Sequence, residues 1–143
     1  EALAPLPGRR YGHSAVALDG WLYVCGGLGG EPSLRDAIRF DAFAGGGWEA
    51  LPPMPAPRLD AAAAAAGGLL YVCGGAGNPK ASGHPVSSAS RYDPLAERWE
   101  MLPPMSAGRA GLGMATLAGC PCALGGADRS GQGLKTAERF DPQ

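Results

Sequence analysis

The chain states nearly the same segment three times, and that repetition limits its fold more than any other feature. The run from Arg10 to Gly27 returns from Arg58 to Gly75 and again, less faithfully, from Arg109 to Gly126. The doublets Gly26-Gly27, Gly74-Gly75 and Gly125-Gly126 lie 48 and 51 residues apart, and an arginine precedes each first glycine by 16 positions. Downstream stand Arg39-Phe40-Asp41, Arg91-Tyr92-Asp93 and Arg139-Phe140-Asp141, and the segments Trp48–Met54 and Trp99–Met105 match each other. A fixed period of this length marks an array of small supersecondary units that bury their apolar faces against one another.

Each repeat holds short strand-like runs bounded by turn residues, the pattern of an antiparallel sheet. The first gives His13–Leu18, Trp21–Cys25, Ala37–Asp41 and Trp48–Leu51. The second gives Asp60–Ala66, Leu69–Cys73, Ala89–Asp93 and Trp99–Leu102. The third gives Leu112–Leu117, Cys120–Leu124 and Ala137–Asp141, then stops. Asp19-Gly20, Gly67-Gly68 and Ala118-Gly119 fall between first and second strands, where glycine supplies the positive φ of a tight hairpin. Ala61–Ala66 would favour a helix by propensity alone. The repeat register overrules it, because the aligned runs Ser14–Leu18 and Gly113–Leu117 alternate like strands. Pro121 interrupts the second strand of the third repeat and removes a ladder donor.

Gly 24 and Pro 14 are high counts, but they recur at fixed offsets and so read as turns rather than disorder. A net charge of −1 gives no electrostatic case for nucleic acid or an anionic membrane surface, so neither is expected as a partner. No apolar run approaches the roughly 20 residues that span a bilayer. Of the four cysteines, Cys25 and Cys73 share one repeat position and should sit too far apart for a disulfide. Cys120-Pro121-Cys122 lacks a second ligand pair at zinc spacing. All four read as buried, reduced thiols, which points to the cytoplasm.

The doublet after a Leu-Tyr-Val type strand, the Arg-aromatic-Asp triplet, the tryptophan beyond it and the leading arginine together resemble the kelch family. The resemblance covers essentially the whole chain. It implies an all-β fold of about three four-stranded antiparallel blades, a segment of a kelch-type β-propeller expected to have six. Each repeat would be a blade, with its first strand innermost and its tryptophan strand outermost. Residues 1–9 are expected to be the outermost strand of a preceding blade and a linker, 10–57 and 58–108 complete blades, and 109–143 an incomplete one. Closure needs more blades than three. They are expected in the same polypeptide or, alternatively, from a second chain joined head to tail.

Most distinctive residues repeat, and repetition argues for a structural role. Arg10, Arg58 and Arg109 suit carbonyl binding or ion pairing between blades better than an anion-binding ring. Trp48, Trp99, Tyr23 and Tyr71 suit inter-sheet packing, with both tryptophans largely buried. Asp41, Asp93 and Asp141 mark turns. The doublets are not phosphate loops, since no Lys-Ser/Thr and no helix pattern follows.

The unequal segments Leu28–Asp36, Ala76–Ser88 and Ala127–Thr136 hold the residues that do not repeat. The candidate partner-binding set is Arg35, Asp36, Asn78, Lys80, His84, Asp128, Arg129 and Lys135. In kelch propellers these loops share a face with the loops leading into each innermost strand, here Pro53–Arg58 and Pro104–Arg109. Variable polar loops on a rigid scaffold are where recognition concentrates. His13 and His84 occupy unrelated positions, and nothing marks a nucleophile, base and orienter. The reading is therefore a non-catalytic protein-interaction module with no cofactor and no metal. Its role would be substrate recognition for a cullin-type ubiquitin ligase or binding to actin or another scaffold. The alternative that the resemblance allows is an enzymatic propeller, a copper oxidase or a sugar epimerase.

Overall fold

The computed structural model describes residues 1–30, 34–77 and 83–142, and among them there is no helix. The first sheet runs β1 (Ser14–Leu18), β2 (Trp21–Cys25), β3 (Ala37–Asp41) and β4 (Glu49–Leu51). The second runs β5 (Ala62–Ala66), β6 (Leu69–Cys73), β7 (Ala89–Asp93) and β8 (Arg98–Leu102). The third has β9 (Gly113–Leu117), β10 (Cys120–Leu124) and β11 (Ala137–Arg139). Within each sheet the strands lie in chain order, and every pairing is antiparallel.

The hairpins between first and second strands follow from two consecutive left-handed residues. Their φ values are 50° and 82° at Asp19-Gly20, 57° and 77° at Gly67-Gly68, and 50° and 75° at Ala118-Gly119. That pair of signs defines the type I′ turn, whose twist matches the flanking strands. The alanine run does form a strand. Its alternate residues Ala62, Ala64 and Ala66 are buried, and the small side chains let β5 lie against both β1 and β9.

The innermost strands start later than the sequence suggests. His13, Asp60 and Leu112 precede them, because the chain turns through positive φ at Gly12 (61°), Asp60 (57°) and Gly111 (64°). At that turn the sheets are stitched together. Asp60 N–H donates to Gly12 O and Gly111 N–H to Asp60 O, both at 2.8 Å. Further along, Thr116 Oγ1 donates to Ala65 O at 2.6 Å.

Two apolar layers fill the spaces between sheets. Tyr23, Cys25, Ala37 and Met54 meet Leu70, Val72 and Tyr92 between the first and second. Ala62, Cys73, Ala89 and Met105 meet Leu112 and Ala123 between the second and third. Residues such as Leu70 and Val72, with no exposed surface, each contribute about 1.5–3 kcal/mol by burial.

Trp48 and Trp99 keep most of their surface covered, as expected, with a smaller part of each left to solvent. They stack on Phe40 and Tyr92 with ring centroids 5.5 and 5.2 Å apart. Residues 1–9 form no strand, since no third strand lies beside them to pair with. Even so, Trp48 Nε1 donates to Ala4 O at 3.0 Å, as Trp99 Nε1 does to Pro52 O at 2.7 Å, so the segment keeps the repeat's register. β11 ends at Arg139 rather than Asp141, where Pro121 offers only its carbonyl, taken by Phe140 N–H at 2.8 Å. All four cysteines are free, but only Cys25 and Cys73 are buried.

Candidate functional site: a rim of unequal loops

Antiparallel order puts the loops after β2, β6 and β10 at one end of the sheets, with the segments that lead into β1, β5 and β9. The hairpin turns lie at the other end. The glycine doublets make this geometry possible. Gly26, Gly74 and Gly125 have φ values of 67°, 64° and 62°, followed by 96°, 84° and 87° at Gly27, Gly75 and Gly126. A side chain at Gly26 or Gly74 would collide with the carbonyl of the next repeat's arginine. That closeness permits Gly27 N–H to reach Arg58 O, and Gly75 N–H to reach Arg109 O, each at 2.8 Å.

The repeated arginines brace the same place from beneath. Nη1 of Arg10, Arg58 and Arg109 donates to the first carbonyl of its own doublet, Gly26 at 3.2 Å, Gly74 at 2.7 Å and Gly125 at 3.0 Å. The arginines are thus scaffold, as their recurrence implies. Each loop is also closed by one equivalent bond, from Leu34, Val86 and Leu134 N–H to the second doublet carbonyl, at 2.7–2.8 Å. Met54 N–H then donates to Arg35 O and Arg58 N–H to Leu34 O, at 2.8 and 3.1 Å. Met105 and Arg109 repeat this with Ser87 and Val86, at 2.9 and 3.2 Å. Loop and lead-in segment therefore form one continuous rim, as the family resemblance implies.

The candidate residues divide on this rim. Arg35, His84, Arg129 and Lys135 are exposed. Asp36 is engaged within the fold: its Oδ1 and Oδ2 accept from Arg10 Nη1 and Nη2 at 3.1 and 2.9 Å. Asp128 is also engaged. Its Oδ1 accepts from Ser130 Oγ at 2.7 Å, Ser130 N–H at 2.9 Å and Gln132 N–H at 3.0 Å. The Ser130 hydroxyl, followed by the Gln132 N–H, holds that carboxyl below the usual range. Asn78 and Lys80 lie outside the described residues.

Two rim residues escape the sequence reading. Tyr11 is 63% exposed where the other repeats carry Leu59 and Ala110, and it flanks a hollow of about 410 Å³ with Arg9, Leu28, Gly29 and Gly30. Asp60 is exposed in the left-handed region, where the other repeats have glycine. Among the described residues its carboxylate has no hydrogen-bond or ion-pair partner. The available signal was the departure of one repeat from the other two at an aligned position.

The opposite end is built for stability. Asp41 Oδ1 accepts from Phe43 and Ala44 N–H at 2.8 and 2.9 Å, and Asp93 Oδ1 from Leu95 and Ala96 N–H at 2.8 and 3.1 Å. Arg39 pairs with Glu49 at 3.0 Å and lies 4.0 Å above the Trp21 ring, and Arg91 pairs with Glu100 at 2.8 Å.

No curated protein matches the chain. Among solved structures, that of YjhT superposes with a TM-score of 0.80 at 24% identity, over 90% of this chain. The chain spans only 37% of YjhT's length, and a likeness at this identity carries the fold alone. The fold is that of kelch-type propeller blades. The family model for the Kelch motif matches residues 9–42 and 57–106, together more than half of the chain. With its arginines, doublets and tryptophans in the places just described, the chain belongs to the kelch-motif family.

Proposed function

We propose that these blades are a non-catalytic recognition module that holds a partner protein on the rim of unequal loops. What carries the reading is a contrast within the rim. Its backbone is fixed by the same bonds in each repeat, while its exposed side chains (Tyr11, Arg35, Asp60, His84, Arg129, Lys135) differ from repeat to repeat. A rigid frame with variable side chains loses little entropy when it binds. Several of those groups suit a partner with acidic and aromatic side chains, since exposed arginine and tyrosine supply much of the affinity of protein interfaces. Family resemblance supports the finer form of the proposal. In it the module selects substrates for a cullin-type ubiquitin ligase, or docks on actin or another scaffold, in the cytoplasm.

The test is affinity capture with Arg35→Glu, Arg129→Glu and Lys135→Glu combined, beside Glu97→Lys at the opposite end as a control. Partners retained by the wild type and the control but lost by the triple variant, at unchanged melting temperature, bear the proposal out. Equal capture by all three proteins would refute it.

A further inference from the structure

Two of the three repeated arginines give their second terminal nitrogen to a carboxylate. Arg10 Nη2 meets Asp36 Oδ2 at 2.9 Å, and Arg109 Nη2 meets Glu138 Oε1 at 2.8 Å. Arg58 is the exception. Its Nη1 donates to Gly74 O and Ser88 O at 2.7 and 3.0 Å. Its Nη2, in a side chain only 1% exposed, has no acceptor among the described residues. Nε is unpartnered in all three arginines, so Nη2 is what sets Arg58 apart.

The cause lies in two substitutions within the repeat. Ser88 occupies the position of Asp36, and Ser90 that of Glu138. Ser90 has no exposed surface, and its Oγ is also without a partner. Nor does a nearby thiolate balance the charge, because burial pushes the Cys73 thiol up to about 12. A buried guanidinium without a counter-charge is strongly disfavoured, and a guanidinium offers donors only.

We propose that Arg58 and Ser90 form a binding site for a small monovalent anion of the chloride class. The anion stands where the Glu138 carboxylate stands in the next blade and accepts from Arg58 Nη2 and the Ser90 hydroxyl. It is a structural ligand of the interface between the first and second blades, and it makes the stability of that interface depend on halide.

The test is the melting temperature of the intact protein in sodium chloride and in sodium gluconate at matched ionic strength. It is paired with anomalous diffraction from crystals grown in bromide. The expected result is a melting temperature higher in chloride by about 2–4 °C. A bromide peak should lie within hydrogen-bond distance of Arg58 Nη2. Ser90→Glu, which supplies the carboxylate covalently, should remove both the halide response and the peak. Equal melting in both salts, a response that Ser90→Glu retains, or no bromide beside Arg58 would each overturn the proposal. The diffraction result stands on the wild type alone if the variant fails to fold.

Discussion

The indole nitrogen of Trp99 donates to the carbonyl oxygen of Pro52 at 2.7 Å, tying the outermost strand of the second blade to the chain that leaves the first. Trp99 also packs on Tyr92, whose ring centroid is 5.2 Å away. Partial exposure lowers the cost of truncation below that of a fully enclosed ring, so Trp99→Ala should destabilise by about 2–3 kcal/mol. Trp48→Ala should cost less, because its partner Ala4 belongs to no strand. Denaturant melts of the two variants measure the difference.

The doublets separate two effects of glycine. At Gly74 the backbone is left-handed and an added Cβ would strike Arg109 O, whereas at Gly68 the backbone is left-handed in open space. Gly68→Ala should therefore cost about 1–2 kcal/mol, the penalty of the conformation alone. Gly74→Ala should cost clearly more, because it also breaks the 2.8 Å bond from Gly75 N–H to Arg109 O. Equal losses would contradict the assignment of the doublet to blade-to-blade approach.

Glu138 gives the stability a pH dependence of known sign. Partial burial would raise its pKa, but the Ser106 hydroxyl and N–H and the Arg109 guanidinium outweigh that and hold the carboxyl below the usual range. A depressed carboxylate stabilises the fold above its unfolded pKa of about 4.3, and the contribution fades as pH falls through the folded value. Glu138→Gln should therefore melt lower than the wild type near neutral pH. The gap should close as the pH drops below about 4.

Thiol reactivity should split in two. Burial, reinforced by Asp36, pushes Cys25 up to about 12, and burial does the same to Cys73. In the native protein at mildly alkaline pH, a thiol-specific disulfide reagent should modify Cys120 and Cys122 and leave Cys25 and Cys73 until the protein unfolds. Rapid modification of all four would contradict the packing between blades.

What the sequence made legible was what it repeats. The strand runs, the type I′ hairpins, the arginine brace and the aspartate turns each occupy aligned positions, because every blade solves the same packing problem. Ala61–Ala66 shows the strength of that signal, since register outweighed the helix propensity of alanine. The rim was legible as a place but not in detail. Asp36 and Asp128 looked like free carboxylates, yet an arginine 26 residues away and a local turn absorb them. Asp60 and Tyr11 stand out only when the repeats are aligned residue by residue, where Asp60 replaces Gly12 and Gly111 and Tyr11 replaces Leu59 and Ala110.

The central claim is that recognition takes place on the rim. Hydrogen–deuterium exchange of the protein with and without its captured partner tests it most directly. The account predicts slowed exchange at residues 9–12, 28–30, 34–36, 83–88 and 127–135. It predicts no change at the opposite hairpins, 19–20, 41–45, 67–68, 93–97 and 118–119. Protection confined to those hairpins, with the rim exchanging as in the free protein, would contradict it.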